Sequence, residues 1–268
     1  MRTLLIRPGA IGDCIVSFPA LEHLQTAYTE IWVPTTVVPL VRFGNKVESI
    51  ARTGLDLVGI RTPFRTMERL AEFDRIHTWY GTANDDFRAA VAHLPVTFYR
   101  ALPPEDSPVH AIDFYAAQVG APPGLTPQIP VTAPPRDEIV IHPFSGSARK
   151  NWPLDRFRAL AGQLPLPVTW IAGPDEPLKD AVHFDDLGKL AERLSGARLY
   201  IGNDSGISHL AAAVGTPVVA LFGLSNPKIW SPRPSHVRIF INEAGIPGLV
   251  DICIGIVGRR QQNRDHCW

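Results

Sequence analysis

The stretch that decides the fold is LYIGNDSGISHLAAAVGTPVVALFG, residues 199–223. An apolar run ends at Gly202, a polar turn follows, and an alanine-rich segment leads through Gly215 into a second apolar run. A strand, a helix and a strand joined by short glycine-containing turns predict a βαβ unit with parallel strands. The elements expected here are a strand at 198–202, a helix at 207–214 and a strand at 217–222.

The same alternation extends along the whole chain and predicts α/β architecture with largely parallel sheets. A proline-dense segment, APPGLTPQIPVTAPPRDE, begins at Ala121, lacks periodicity and indicates an interdomain linker. We therefore predict two doubly wound domains, 1–122 and 137–268, joined by a linker at 123–136 and facing a cleft that is the default binding site.

The pattern also predicts further elements on both sides of the linker. The expected strands are 3–7, 30–34, 57–60, 75–79, 138–142 and 168–172, and the expected helices are 20–27, 154–163 and 187–194. After about residue 241, glycines are scattered through an apolar run. This tail fits a strand, a poor helix or a partly disordered segment, and the pattern leaves these alternatives open.

Composition excludes several classes of protein. Lys plus Arg and Asp plus Glu both number 26, so the formal net charge is zero. Binding of nucleic acid through an overall positive charge is therefore disfavoured. The three cysteines, Cys14, Cys253 and Cys267, are widely spaced, which predicts neither disulfides nor a metal site and suits a reducing compartment. The histidines are scattered, with no carboxylates at ligand spacing.

The apolar segments predict no targeting signal and no membrane span. The first predicted strand begins almost at Met1, which leaves no room for a signal peptide, and the longest apolar stretch, 210–224, contains Gly215 and Pro217. We expect a cytoplasmic protein with at most peripheral association with a membrane.

The turn before the predicted helix at 207–214 is a candidate anion site. Asp204 has the side chain of an N-cap, and Gly206 lets a ligand approach the backbone closely. The first N–H groups of the helix, with its positive dipole end, would face an anion such as a diphosphate, and His209 would add a donor. An ordinary capped helix with His209 on its face explains the same residues equally well.

A second candidate anion site lies in IVIHPFSGSARKNWPLDRF, residues 139–157. Ser145, Arg149 and Lys150 follow a strand that ends at His142, and a solvated basic loop is the alternative interpretation. Two such loops at the carboxyl ends of strands in one domain favour a shared phosphate ligand. In WIAGPDEP, residues 170–177, Glu176 is placed to bind a ribose hydroxyl pair, although an exposed loop acid is the commoner explanation.

The amino-terminal turn RPGAIGD, residues 7–13, has the form of a phosphate-binding turn but ends in a carboxylate. It lacks the G-x-G-x-x-G spacing of a dinucleotide site, and the chain has no GK[ST] motif. The basic stretch RTPFRTMER, residues 61–69, predicts either a solvated surface or a patch for an anionic acceptor.

Three motifs in order resemble glycosyltransferase family 9, the heptosyltransferases of lipopolysaccharide core assembly and their relatives. They are RPGAIGD followed by FPAL, then HPFSGSARKNWP, then GNDSGISHLAAAVGTPVVALFG. The resemblance implies a GT-B fold with two Rossmann-like domains, the first binding the acceptor and the second the donor. It also implies inverting transfer of a sugar, with heptose a candidate, from a nucleoside-diphosphate sugar to a cell-envelope saccharide or lipid-linked acceptor, without a metal or cofactor.

The resemblance also assigns roles to individual residues. Asp13 matches the general base, and Gly9 and Gly12 shape the acceptor-side turn around it. Glu176 matches the ribose-binding acid, and Phe144 stands where the family usually has a small residue. The residues that match phosphate contacts are Ser145, Lys150, Asp204, Ser205, Gly206 and His209.

Physical chemistry supports these roles. A carboxylate suits removal of the acceptor hydroxyl proton, and fixed N–H groups with a lysine stabilise a departing diphosphate. Two alternatives stay open at this point: a non-catalytic relative that binds sugar nucleotides, and a nucleotide-sugar epimerase of similar fold.

Overall fold

The computed structural model describes residues 1–60, 63–241 and 245–265. By its contacts the chain divides into two units, Met1–Pro127 and Gln128–Trp268. The division lies inside the proline-rich segment 123–136, which forms neither helix nor strand. The N–H groups of Ile129 and Arg136 donate to carbonyls of the second unit, so this segment is attached to it.

The first unit contains one parallel sheet of five strands. Its elements are β1 Arg2–Ile6, α1 Ile11–His23, β2 Tyr28–Val33, β3 Lys46–Ser49, α2 Phe64–Ala71, β4 Arg75–Thr78, α3 Asp85–Ala90, β5 Val96–Phe98 and α4 Ala111–Gln118. The strand order is β3-β2-β1-β4-β5, so the direction of winding reverses between β1 and β4. Leu4, Leu5 and Ile6 are all buried, as expected for a parallel strand covered on both faces.

The second unit contains a parallel sheet of six strands. Its elements are β6 Ile139–His142, α5 Leu154–Ala161, β7 Val168–Ala172, β8 Val182–His183, α6 Leu187–Gly196, β9 Leu199–Asn203, α7 Gly206–Ala213, β10 Val218–Phe222, α8 Pro227–Trp230, β11 Val237–Ile241 and α9 Ile246–Asp265. The order β11-β10-β9-β6-β7-β8 reverses between β6 and β9, where His142 pairs with Gly202. Ligands of open α/β sheets bind at the carboxyl ends of strands at such a switch point.

Two predicted elements of the first unit are wrong. The helix predicted at 20–27 begins instead at Ile11 and ends at His23, because the buried residues on both sides of Pro19 keep the helix together across the proline. The strand predicted at 57–60 is instead the end of a 3₁₀ helix at Leu57, a single bridge residue at Val58 and a turn, and the left-handed φ of 92° at Gly59 ends any extended run there.

The carboxyl-terminal tail is a helix, which decides among the three alternatives that the sequence left open. Leu249, Val250, Cys253 and Val257 of α9 pack into the core of the second unit with residues of its sheet. Its glycines lower intrinsic helix propensity, so this packing is what stabilises the helix. Residues 242–244 and 266–268, including Cys267, lie outside the described residues. Across residues 1–60, 63–241 and 245–265, no helix is long and apolar enough to span a bilayer.

Candidate functional site

One buried asparagine joins the two loops at the switch point of the second sheet. The side chain of Asn203, the last residue of β9, accepts the Trp152 N–H through Oδ1 at 2.8 Å. Its Nδ2 donates to the Pro143 carbonyl at 2.8 Å. The loop after β6 is therefore fixed against the start of α7. Sequence reasoning missed this role, and its only signal is an asparagine at the end of a buried strand.

The start of α7 is capped by Ser205, not by Asp204 as predicted. Ser205 has extended backbone dihedral angles, and its Oγ accepts the Ser208 N–H at 3.4 Å. The Asp204 N–H still donates to the Leu221 carbonyl of β10, so Asp204 continues the ladder of the sheet. Its side chain points to another partner instead.

That partner is Lys150, whose Nζ donates to Asp204 Oδ2 at 2.8 Å. The Asp204 side chain is 8% exposed and the Lys150 side chain 38% exposed, so the lysine keeps access to solvent while its carboxylate partner is buried. The ion pair brings together the two loops that were predicted to share a phosphate ligand. It also places a cation beside the start of α7.

The loop that carries Lys150 is shaped by Ser145. The Ser145 hydroxyl lies 2.7 Å from Asn151 Oδ1 and 2.8 Å from the Ser147 carbonyl. These contacts curl residues Ala148–Lys150 into a single 3₁₀ turn. Ser145 is half-buried, so its side chain keeps some access to solvent.

The buried Tyr200 contacts the first turn of α7 through Ser208. Tyr200 is buried, and a Cβ on Gly202 would lie 2.3 Å from its hydroxyl oxygen, so the strand glycine makes room for the ring. The Ser208 Oγ lies 3.5 Å from that hydroxyl and 2.6 Å from the Asn203 carbonyl. Burial raises the pKa of Tyr200, so the hydroxyl stays protonated.

The other two predicted residues of this region belong to α7 itself. Gly206 is the first residue of the helix, and His209 is the fourth and is buried.

Glu176 reaches the same edge of the sheet from the loop after β7. Its Oε2 lies 2.8 Å from Nε2 of His142, the last residue of β6, and accepts the Gly173 N–H at 2.6 Å. Burial opposes ionisation of Glu176, but the hydrogen bonds from His142 and the Gly173 N–H, with favourable electrostatics from His142 and His183, together outweigh it and hold the pKa of the carboxyl below its usual value. The structure therefore brings all the predicted donor-side residues to the carboxyl edge of one sheet.

In the first unit, a buried arginine shapes the turn after β1. Arg7 is 1% exposed, and its guanidinium donates to Ser17 Oγ at 2.9 Å, the Pro8 carbonyl at 2.7 Å and the Asp13 carbonyl at 2.8 Å. Its central carbon lies 4.7 Å from the centre of the Tyr115 ring. Sequence reasoning missed Arg7 too, and the available signal was a cation at the end of an apolar strand.

Asp13 is the third residue of α1 and is half-buried. Its Oδ2 accepts the Ala10 N–H at 3.2 Å, which fixes the carboxylate over the turn. Gly9 has φ of 126°, and a Cβ there would lie 3.2 Å from the Asp13 Cβ. Both the backbone angle and the close contact therefore favour glycine at this position. Gly12 is the half-buried second residue of α1.

The cysteine next to the candidate base is not a second reactive group. Burial raises the pKa of the Cys14 thiol to about 12, which leaves it unreactive at neutral pH.

Other candidate sites contribute less. Among the residues that the structure describes, no group of three or more His, Cys, Asp or Glu side chains is arranged to hold a metal ion. In the basic stretch 61–69, Arg69 pairs with Glu30 and Glu48, so it belongs to an ion network of the fold. Residues 61 and 62 of that stretch lie outside the described residues.

Comparison with known proteins connects the second unit to one enzyme family. Residues 185–250 match the model of glycosyltransferase family 9 (heptosyltransferase). Lipopolysaccharide heptosyltransferase 3 of Escherichia coli is 42% identical over 74 residues, which are 28% of this chain and 19% of that protein. The match thus spans about a fifth of the relative's length.

Solved structures share the fold over nearly the whole chain. E. coli ADP-heptose LPS heptosyltransferase II has a TM-score of 0.77 at 18% identity, covering 97% of this chain and 100% of that one. E. coli heptosyltransferase WaaC with ADP has a TM-score of 0.69 at 16% identity, covering 96% and 100%. At these identities the likeness shows the fold, and it confirms the predicted α/β class of GT-B type. The resemblance to glycosyltransferase family 9 is confirmed in the second unit by the family match at residues 185–250, and is supported by the 42% identity to the E. coli relative over 74 residues.

Proposed function

We propose that this protein is a glycosyltransferase that moves a sugar from a nucleoside-diphosphate sugar to a cell-envelope saccharide or lipid-linked acceptor. The observation that carries the proposal is the Lys150–Asp204 ion pair, which joins two separate family motifs beside the start of α7. ADP-heptose is the first candidate donor, because relatives of the same fold are named for it or hold ADP.

The diphosphate of the donor would bind at the start of α7. The first N–H groups of that helix, beginning at Gly206, are directed out of the helix end, and the helix dipole favours an anion there. The Ser205 hydroxyl and the Lys150 ammonium lie beside them, and Ser145 borders the same loop. Asp204 would act by holding Lys150 in place, because a carboxylate in direct contact with phosphate would repel it. His209 and Glu176 complete the proposed site, the latter on the ribose.

The proposed reaction is an inverting displacement. The acceptor oxygen bonds to the anomeric carbon of the donor sugar while the bond from that carbon to the diphosphate breaks, and the nucleoside diphosphate leaves with the electron pair. Asp13 takes the proton of the acceptor hydroxyl, with Oδ2 held by the Ala10 N–H and Oδ1 as the receiving oxygen. The α7 N–H groups and Lys150 stabilise the charge on the leaving group, which is the part that a metal plays elsewhere. We propose that transfer needs no metal and no cofactor.

An acceptor of this class would bring the protein to the inner face of a membrane. We propose that it works in the cytoplasm and associates with the membrane at most peripherally, through the acceptor that it glycosylates.

Replacing Asp13 by Asn tests the proposal. Asn keeps an oxygen for the Ala10 N–H but cannot take a proton, so the rate of sugar transfer should fall by about 10²–10⁴-fold, the usual contribution of a general base. Nucleoside-diphosphate affinity, measured by calorimetry, should stay within about twofold, because only a transition-state contact is removed. Asp86→Asn is the matched control, since Asp86 is an exposed acid in the first turn of α3.

Three outcomes separate the proposal from its rivals. Equal losses of transfer and nucleotide affinity in Asp13→Asn would contradict the role of Asp13 as a base. Nucleotide binding by the unmodified protein without turnover on any envelope acceptor would favour a non-catalytic relative. Conversion of free donor with no acceptor present would favour an epimerase.

A further inference from the structure

We propose that His142 is a positioning residue that orients Glu176 toward the ribose hydroxyls of the donor, and thereby sets a preference for ribonucleotides over deoxyribonucleotides. The inference rests on the proposed function, because it takes the Glu176 loop as the ribose side of the donor site. The role concerns His142 itself, which none of the sequence motifs marked as a site residue.

His142 is a rigid support. It is the last residue of β6, a strand that pairs with β7 on one side and β9 on the other. Its side chain is 5% exposed, and its ring meets the edge of the Phe144 ring at a centroid distance of 6.0 Å and an angle of 67°. Strand pairing and packing therefore fix the imidazole before any ligand arrives.

The only polar contact made by the His142 ring in the described structure is with Glu176. Nε2 lies 2.8 Å from Glu176 Oε2 and must carry the hydrogen, because a carboxylate only accepts. Nδ1 is buried and has no hydrogen-bond partner among the described residues. A buried polar ring costs free energy relative to an apolar one of similar size. Its one polar contact is thus the feature of His142 that an apolar residue could not supply.

The contact leaves the other carboxylate oxygen, Oε1, without a hydrogen bond to any described residue. Oε2 of Glu176 receives two hydrogen bonds, from His142 Nε2 at 2.8 Å and from the Gly173 N–H at 2.6 Å. Both donors lie at the ends of strands, β6 and β7, so they fix the plane of the carboxylate. Oε1 keeps its lone pairs for a hydroxyl pair, and the Glu176 side chain is 28% exposed.

The loop that carries Glu176 has ties that do not involve His142. His183 of β8 lies with Nδ1 2.8 Å from the Gly173 carbonyl and with Nε2 3.0 Å from the Leu178 carbonyl. At least one of these carbonyls accepts a hydrogen bond from the ring, which ties the loop to β8. Loss of the His142 side chain should therefore leave the loop in place and the Glu176 carboxylate held by the Gly173 N–H alone, about which it can rotate.

The test is calorimetry with whichever of ADP, UDP, GDP and CDP binds most tightly, and with its 2′-deoxy and 3′-deoxy forms. The unmodified protein should prefer the ribonucleotide by about tenfold or more, the effect of a hydrogen bond to a charged group. In His142→Phe the preference should shrink to about twofold or less, because the Gly173 N–H alone does not fix the plane of the carboxylate. His142→Gln should keep most of it, since its amide N–H replaces Nε2–H. His142→Asn, whose amide is too short to reach Oε2, should behave like Phe and serves if the Phe variant fails to fold.

His93→Phe is the matched control, because His93 is an exposed histidine of the first unit, and it should leave both affinity and preference unchanged. If His142→Phe and His142→Asn weaken all three nucleotides by the same factor and keep the preference, the inference is overturned and His142 is only structural. A preference that survives Glu176→Gln would also overturn it. If the unmodified protein binds none of the four nucleoside diphosphates, the proposed function itself fails, which is a different result.

Discussion

At the scale of single residues, the buried Arg7 fixes the turn that carries the candidate base, Asp13. Its buried guanidinium binds the carbonyls of Pro8 and Asp13 at once, so it closes the turn from inside. A hydrogen bond to Ser17 and the face of Tyr115 complete its surroundings. The three acceptors bind three different nitrogens of the guanidinium, whereas the three N–H groups of a lysine all leave one nitrogen and cannot reach acceptors that lie so far apart.

Replacement of Arg7 by Lys should therefore destabilise the first unit even though the positive charge is kept. We expect a loss of about 2–4 kcal/mol in the free energy of unfolding, because buried acceptors are left unpaired. Arg88→Lys is the matched control, since Arg88 also stacks on an aromatic ring, Phe98 at 4.4 Å, but is exposed. It should change stability by less than about 1 kcal/mol. Urea unfolding followed by circular dichroism measures both, and equal effects would refute the special role of Arg7.

The residue scale also shows what a sequence can and cannot reveal about the site. The helix predicted at 207–214 begins within one residue of α7, which starts at Gly206, because strand, turn and helix signals coincide there. The choice of Asp204 as the cap was wrong, because aspartate and serine are both good caps. What separates them is an ion pair to Lys150, 54 residues away, and sequence spacing carries no information about such a contact.

At the scale of elements, an ion network joins α2 to the edge of the first sheet. Glu30 and Trp32 of β2 lie opposite Lys46 and Glu48 of β3 in register, so all four share one face. Arg69 of α2 pairs with both glutamates and stacks on Trp32 at 4.6 Å. The network replaces apolar packing at this edge, which is why the polar strand Lys46–Ser49 gave no strand signal in the sequence.

This network should give the protein an acid-sensitive contribution to stability. The hydrogen bond from Arg69, with help from Lys46, holds the pKa of Glu48 below its usual value of 4.5. A carboxyl whose pKa is lower in the folded state contributes its full stability above the unfolded pKa and loses it as pH falls through the folded pKa. The stability advantage of the unmodified protein over Glu48→Gln should thus be constant from pH 7 to about pH 5 and shrink below about pH 4.5.

Chemical unfolding at several pH values measures that advantage. The same comparison in an Arg69→Gln background is the control, and there the pH-dependent part of the advantage should be largely lost. An advantage that is as large at about pH 3.5 as at pH 7 would show that Glu48 is not stabilised in its charged form.

The strands predicted in the second unit agree with the structure within about one residue. Three of them are continuous apolar runs buried along their whole length, and Val168–Ala172 was predicted to the residue although its first three residues are only half-buried. The short strand Val96–Phe98 was not predicted, and for the segment that forms α9 a helix was only one of three alternatives. Both are stabilised by neighbours far along the chain, and local propensity does not report those neighbours.

At the scale of the whole molecule, the two units follow one plan. In each, the candidate residues follow the first strand of the unit at the point where winding reverses: Asp13 after β1, and Lys150 after β6. The family match at 185–250 lies within the second unit, whereas the first is related to heptosyltransferases by fold. The unit that we propose to bind the donor is therefore the one with the closer sequence match to the family.

If donor binding belongs to the second unit, a nucleoside diphosphate should protect that unit first. ADP at about a hundred times its dissociation constant adds about 2.7 kcal/mol to the stability of whatever binds it. Hydrogen exchange should then slow most in peptides covering residues 143–151 and 203–209, and least in the turn at 7–13. Lys150→Gln should remove much of this protection, because the cation beside α7 is lost. Arg149→Gln, at the exposed neighbouring position, should leave it nearly unchanged. Protection confined to the turn at 7–13 would instead place the nucleotide in the first unit and reverse the assignment of donor and acceptor sides.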